Sequence, residues 1–119
     1  MTKGSWLAAG ALCLASIAAW PHAHLTGSEP PEGSTGKPPV QIVLSFSESA
    51  RLTMLTLQRD GAQPQQLALP GAVGARLAIA MPPLPAGRYT LEWRALGSDG
   101  HVTSGALHFA VAPAPQGRL

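Results

Sequence analysis

Several stretches of the chain alternate between apolar and other residues, as a β-strand with one buried face should. The clearest stretch places Ile42, Leu44 and Phe46 at every second position. The strongly alternating stretches are 40–46, 77–81, 89–95 and 107–111, and weaker ones are 24–27, 52–59 and 65–69. After residue 22, no stretch of the chain keeps the 3.6-residue period of an amphipathic helix. The pattern therefore predicts about seven short strands.

The segments between these stretches carry turn residues. Asp60-Gly61, Pro70-Gly71 and Asp99-Gly100 each follow an alternating stretch, and Pro82 begins a proline-rich connection. The chain contains 13 Gly and 12 Pro, about a fifth of its 119 residues. Short strands at spacings of about ten residues are typical of two packed antiparallel sheets. We therefore predict an all-β, seven-stranded Greek-key β-sandwich of the immunoglobulin-like kind.

The first residues have the pattern of a secretory signal peptide. Lys3 supplies a positive start, and the stretch from Trp6 to Trp20 is apolar and uncharged. Its fifteen residues are short for a membrane span, which needs about 20. An uncleaved membrane anchor is the alternative interpretation. A signal peptide predicts export, and we expect the mature protein in the periplasm.

The cleavage point has two candidates. Cleavage after Pro21 gives a mature chain that begins at His22, and cleavage after Ala23 gives one that begins at His24. The sequence leaves both open, because neither matches the preferred small residues well. We predict a signal peptide over 1–21, or to 23 with the later cut, a folded domain over 22–112 and a proline-rich tail over 113–119.

Composition excludes several classes of protein. Eight Lys and Arg residues stand against six Asp and Glu, and they form no cluster, so we expect no nucleic-acid partner. The sequence contains no Gly-rich phosphate loop and no Ser in a nucleophile elbow. Cys13 lies in the apolar signal, so the mature chain has no thiol. Any metal site must then use nitrogen, oxygen or thioether donors.

The histidines occupy informative positions. His22 and His24 flank Ala23 directly after the signal, and His101 follows Asp99 by two residues in the loop before the last strand. Residues two apart in extended backbone point to the same side. A histidine at a new N-terminus offers both its ring and its α-amine. Three nitrogens and one carboxylate oxygen suit tetragonal Cu(II), which also stands at the top of the divalent affinity series.

The same residues have a less specific interpretation. His-x-His beside a signal can arise by chance, and Asp-Gly is a common turn pair. His108 lies out of phase with Leu107 and Phe109, so it is expected on the exposed face of its strand and not among the ligands. Spacing alone leaves metal binding and a plain structural domain open.

The motifs in order along the chain resemble the CopC family of periplasmic copper-binding proteins. The resemblance rests on His-Ala-His-Leu-Thr-Gly-Ser-Glu-Pro-Pro-Glu-Gly over 22–33, Val-Leu-Ser-Phe-Ser-Glu over 43–48, Ala-Gly-Arg-Tyr-Thr-Leu-Glu-Trp-Arg over 86–94, and Ser-Asp-Gly-His over 98–101. Gly105 and Phe-Ala-Val over 109–111 complete it. It covers nearly the whole mature chain. It implies a cupredoxin-like Greek-key sandwich.

The resemblance also implies a ligand set and a role. Carried over by position, the Cu(II) ligands are His22, Asp99 and His101, with His24 as an additional ligand. Glu48 is expected to be structural, or to support the ligands without binding the metal itself. The implied function is a copper carrier or buffer in copper homeostasis and resistance, not an enzyme, with an inner-membrane copper importer as a partner. The mature chain has only Met54 and Met81, too few for a thioether site, so we predict Cu(II) as the only bound form.

Two other functional classes remain as alternatives. An N-terminal histidine that binds copper through its amine and ring is similar to the site of lytic polysaccharide monooxygenases, which would make the chain an oxidative enzyme. The aromatic residues argue against an enzyme. All four of those in the mature chain lie at positions predicted to face the core, which leaves no exposed aromatic surface for a polysaccharide. The third interpretation is a structural sandwich domain with incidental histidines.

Overall fold

The computed structural model describes residues 23–115, which contain strands and no helix. The strands are β1 (Leu25–Glu29), β2 (Ser34–Gly36), β3 (Gln41–Arg59), β4 (Gln65–Gln66), β5 (Gly74–Ala80), β6 (Gly87–Gly97) and β7 (Val102–Val111). The main order of neighbours is β1-β3-β6-β7-β2, and β4 and β5 also pair with β3. This confirms the predicted all-β sandwich of seven strands. No helix among the described residues is long and apolar enough to cross a membrane.

The long strand β3 belongs to both halves of the sandwich. Its first part, 41–46, pairs with β1 and β5, and its second part, 50–59, pairs with β6 and β4, with Ala50 also opposite Gly74 of β5. The sequence pattern treated these parts as two strands. They form one strand that continues through 47–51, and a bulge between Leu52 and Met54 shifts its register by one residue. Buried positions then change from even numbers to odd, and both parts keep their apolar faces inside.

Aromatic side chains fill the centre of the sandwich. Phe46 packs edge-on against Trp93 with ring centroids 5.2 Å apart, and Tyr89 stacks on Phe109 at 5.3 Å. All four are at most 5% exposed, as their phase in the sequence predicted. Gly105, which pairs with Trp93, makes this packing fit, because a Cβ there would lie 2.7 Å from indole Cζ2.

Some local expectations were wrong. Val40 is 84% exposed, because the buried alternation begins at Ile42, after the prolines that precede β3. β2 was not predicted, since Ser34–Gly36 has no apolar alternation and forms by backbone pairing with the end of β7. The weak pattern at 65–69 gives a strand only at Gln65–Gln66. Met81, at the end of the alternating stretch 77–81, packs against the core as its phase predicted but is only half-buried.

Candidate metal centre

The connection between β6 and β7 is a tight loop, Gly97–His101, whose backbone is closed on itself. The N–H of Gly97 donates to the carbonyl of His101 at 2.8 Å, and the N–H of Gly100 donates to the carbonyl of Gly97 at 3.0 Å. Gly100 has φ +86°, a left-handed conformation that glycine adopts without a steric penalty. The Asp-Gly turn read from the sequence thus fixes where Asp99 and His101 stand.

Asp99 and His101 are paired within this loop. The backbone N–H of His101 donates to Asp99 Oδ1 at 3.0 Å, and His101 Nδ1 lies 3.2 Å from Asp99 Oδ2. The imidazole is 63% exposed, whereas the carboxylate is only 17% exposed. When Nδ1–H donates to a carboxylate, the lone pair of a neutral imidazole resides on Nε2, which is a common arrangement in metal-binding histidines. The two side chains do share one side, as predicted, but the turn at Gly100 brings them together and not the extended backbone that the prediction assumed.

The start of the described chain lies against the same loop. Ala23 is 1% exposed, and its carbonyl accepts a hydrogen bond from Thr103 Oγ1 at 2.9 Å. A Cβ built on Gly97 would stand 2.9 Å from Asp99 Oδ1 and 3.6 Å from the nitrogen of Ala23. That nitrogen forms the peptide bond to His22. His22, the first predicted ligand, lies outside the described residues.

His24 is held against the middle of β3. Its backbone N–H donates to Ser47 Oγ at 3.1 Å, its Nδ1 lies 3.2 Å from the same oxygen, and its carbonyl accepts from the N–H of Ser47 at 2.8 Å. Ser47 lies where β3 changes from one set of partners to the other. Sequence reasoning missed Ser47, because an exposed serine in a strand carries no distinctive signal.

The β6–β7 loop is anchored to the same part of β3. The N–H of Ser98 donates to the carbonyl of Ser49 at 3.1 Å, and Ser98 Oγ lies 3.5 Å from Glu48 Oε1. The segment 47–49 therefore supports both the loop and His24, which lies just before β1. This contact agrees with the expectation that Glu48 has a structural role.

The described residues bring part of the predicted ligand set together. Asp99 and His101 are in contact, but among residues 23–115 no three His, Cys, Asp or Glu side chains form a group that could hold a metal ion. His108 lies farther along β7, with Nδ1 2.9 Å from Glu32 Oε2. Its exposed position on the strand is the predicted one.

Comparison with known proteins gives the family. The model of the CopC domain family matches residues 25–112, and the chain therefore belongs to the CopC family. It is 35% identical over 114 residues to copper resistance protein C of Pseudomonas syringae pv. tomato, covering 82% of this chain and 86% of the relative. It is 33% identical over 117 residues to copper resistance protein C of Escherichia coli, covering 88% and 93%.

Solved structures agree with this placement. The crystal structure of PcoC, a methionine-rich copper resistance protein from Escherichia coli, is 36% identical in sequence and matches with a TM-score of 0.58, covering 76% of this chain and 98% of PcoC. The crystal structure of CopC from Methylosinus trichosporium OB3b matches with a TM-score of 0.64 at 20% identity, covering 82% and 100%. This second likeness supports the sandwich fold.

Proposed function

We propose that this chain is a copper-binding protein of copper resistance and homeostasis, which carries or buffers Cu(II) in the periplasm. The observation that carries the proposal is the Asp99–His101 pair in a loop whose Gly97 lies close to both Asp99 Oδ1 and the nitrogen of Ala23. A carboxylate, an imidazole and the N-terminal segment thus lie near one another at one end of the sandwich. The relatives named for copper resistance supply the metal's identity.

The ligands in this proposal are Asp99, His101 and the amine and ring of His22. These donors are nitrogen and oxygen, which suit Cu(II) better than the soft Cu(I) ion. PcoC is described as methionine-rich, whereas this chain has three methionines, one of them Met1. The scarcity of thioethers supports Cu(II) as the bound form.

The burial of Ala23 supports cleavage after Pro21. A cut after Ala23 would remove a residue that is 1% exposed and would remove the carbonyl that accepts from Thr103. Unless that hydroxyl found water, it would lose its partner, at a cost of about 1–3 kcal/mol. Cleavage after Pro21 keeps this contact and makes His22 the N-terminal residue.

A competing arrangement uses the N-terminal segment alone. The amine of His22, the deprotonated amides of Ala23 and His24, and the His24 ring can wrap Cu(II) in a square plane. Forming it would break the hydrogen bond from the His24 N–H to Ser47 and would reorient buried Ala23. The loop ligands instead need little further ordering, which favours the site that includes Asp99 and His101.

Electron paramagnetic resonance of the processed chain with Cu(II) decides between the two. We expect His101→Ala to change the spectrum and weaken binding, and His24→Ala to leave the main signal in place. Loss of Cu(II) binding in His24→Ala alone would support the square-planar arrangement instead. In either arrangement the ligating imidazoles are neutral, so protons compete with copper and affinity should fall as the solution becomes more acidic.

The aromatic packing favours a carrier over an oxidative enzyme. Phe46, Tyr89, Trp93 and Phe109 are all buried, so none of them forms a flat surface for a polysaccharide. Oxygen consumption with copper and a reductant should therefore stay at the level of free copper. An inner-membrane copper importer is the proposed recipient, and transfer of bound copper to membranes that contain such an importer would test it.

A further inference from the structure

Two side-chain hydroxyls hold the peptide bond between Ala23 and His24, which we call the clamped peptide. Its carbonyl, on Ala23, accepts from Thr103 Oγ1 at 2.9 Å, and its N–H, on His24, donates to Ser47 Oγ at 3.1 Å. Thr103 lies near the start of β7 and Ser47 in the middle of β3, so the two hydroxyls come from strands far apart in the sequence. Both hydrogen-bonding groups of one peptide are therefore satisfied by side chains.

The surroundings of the clamped peptide restrict its movement further. Ser47 holds His24 a second time, because the N–H of Ser47 donates to the carbonyl of His24 at 2.8 Å. Ala23 is 1% exposed, and a buried carbonyl that loses its hydrogen-bond donor destabilises the folded chain. The position of this peptide thus depends on contacts that single substitutions at Thr103 and Ser47 can remove one at a time.

The clamped peptide sets where the chain meets the loop between β6 and β7. A Cβ built on Gly97 of that loop would lie 3.6 Å from the nitrogen of Ala23 and 2.9 Å from Asp99 Oδ1. The nitrogen of Ala23 is the atom through which the chain continues to His22. With the clamp in place, this nitrogen lies beside the loop that carries Asp99 and His101.

The same clamp opposes the square-planar arrangement of the N-terminal segment. In that arrangement the amide nitrogens of Ala23 and His24 each release a proton to water and bind copper. An ion bound to the nitrogen of His24 would lie in the direction of its N–H, where Ser47 Oγ now stands. The peptide would have to leave Ser47, and buried Ala23 would move with it, away from Thr103.

We propose that Ser47 and Thr103 are positioning residues that decide which ligands Cu(II) takes, an inference that rests on the proposed copper function. They hold the clamped peptide in the conformation that suits the site with Asp99 and His101, and they disfavour wrapping of the ion by residues 22–24. Their hydroxyls therefore act with opposite sign on the two arrangements. A residue that only stabilises the fold would affect both arrangements in the same direction.

Cu(II) titration of the processed chain in two variant backgrounds tests these signs. His24→Ala lacks the ring that the square-planar arrangement needs, and His101→Ala lacks the imidazole of the loop site, so its residual binding reports the N-terminal segment. Thr103→Val removes the hydroxyl and keeps the branched shape. We expect it to lower Cu(II) affinity about three- to tenfold in His24→Ala and to raise it by a similar factor in His101→Ala, since one hydrogen bond is lost. The matched variant Thr103→Ser keeps the hydroxyl and should change neither affinity.

Ser47→Ala gives a second test, because Ser47 is exposed and its loss leaves no cavity in the core. We expect the same pair of opposite changes in affinity. In the copper-free chain, amide hydrogen exchange at His24 should become several-fold faster, while exchange at buried Leu91 stays unchanged. Equal effects in the two backgrounds overturn the proposal, whether both affinities fall or neither changes. If His101→Ala binds Cu(II) as firmly as the parent, the proposed copper site fails and the proposal with it.

Discussion

His101 and His108 each direct Nδ1 at a carboxylate, His101 at 3.2 Å from Asp99 and His108 at 2.9 Å from Glu32. The two pairs have similar chemistry but different positions: the first stands in the loop beside Ala23, and the second beside the short strand β2. A histidine–carboxylate pair is therefore not enough for the proposed copper site. The two pairs differ in that the N-terminal segment lies against the loop that carries Asp99 and His101.

Replacing the loop carboxylate should weaken copper binding. Asp99→Asn removes the negative oxygen donor and weakens the hold on His101 Nδ1, and we expect Cu(II) affinity to fall by at least about 10–100-fold. Competition with a chelator of known affinity measures this. Asp60→Asn is the matched control, because Asp60 also precedes a glycine with positive φ in a turn. An equal loss in both variants would count against a specific role for Asp99.

Gly97 should be required for the position of that carboxylate. A Cβ there would lie 2.9 Å from Asp99 Oδ1 and 3.3 Å from the Cβ of Ala23, so Gly97→Ala must displace one of them. We expect weaker Cu(II) binding by the folded variant, measured by the same competition. Gly36→Ala is the control, since a Cβ at Gly36 meets nothing within 4 Å. Unchanged affinity in Gly97→Ala would show that this close contact does not matter.

Gly105 should matter for stability. The Gly105→Ala Cβ would stand 2.7 Å from Trp93 Cζ2 and 3.0 Å from Cε2, so the indole, which packs edge-on against Phe46, would have to shift. We expect a loss of about 1–3 kcal/mol in the free energy of unfolding, measured with denaturant. Gly36→Ala again serves as the control. A Gly105→Ala chain as stable as the parent would mean that the core adjusts freely.

Glu32 should give the fold a small dependence on pH in the acid range. The backbone N–H of His108, and its ring, hold the pKa of the Glu32 carboxyl below its ordinary value of 4.5, although burial opposes this. A depressed pKa means that the stabilisation is present above pH 4.5 and is lost as the pH falls through the lower folded value. The effect should be below about 1 kcal/mol, because solvent screens the exposed pair.

Unfolding of Glu32→Gln and the parent across this pH range checks the sign. The stability difference between them should be largest above pH 4.5 and should narrow towards more acid pH. A difference that grows as the pH falls would contradict the assignment. Asp60→Gln at an exposed turn provides a control for the loss of one negative charge.

The sequence predicted the parts of the fold that depend on apolar alternation. Phe46, Trp93 and Phe109 were placed in the core correctly because a buried face repeats every second residue. The continuous strand β3 was not predicted, since the polar residues 47–49 interrupt the apolar repeat although they continue the strand. β2 was also missed, because it forms through backbone bonds that leave no side-chain pattern.

The candidate site was predictable only in part. The two-residue spacing placed Asp99 and His101 on a common side by assuming extended backbone; they do meet, but through the turn at Gly100. The supporting residues Ser47, Gly97 and Thr103 act through contacts between segments far apart in the chain, with His24, Asp99 and Ala23 respectively. Local spacing carries no information about such contacts. Only the folded topology brings them together.

Native mass spectrometry of the processed chain tests the central claim most directly, because it reports the N-terminal residue and the bound copper together. With Cu(II) and a competing chelator, we predict a chain that begins at His22 and holds a single copper ion. We predict that His108→Ala keeps the ion, whereas His101→Ala loses it. A His101→Ala chain that keeps its copper as firmly as the parent would contradict the proposed site.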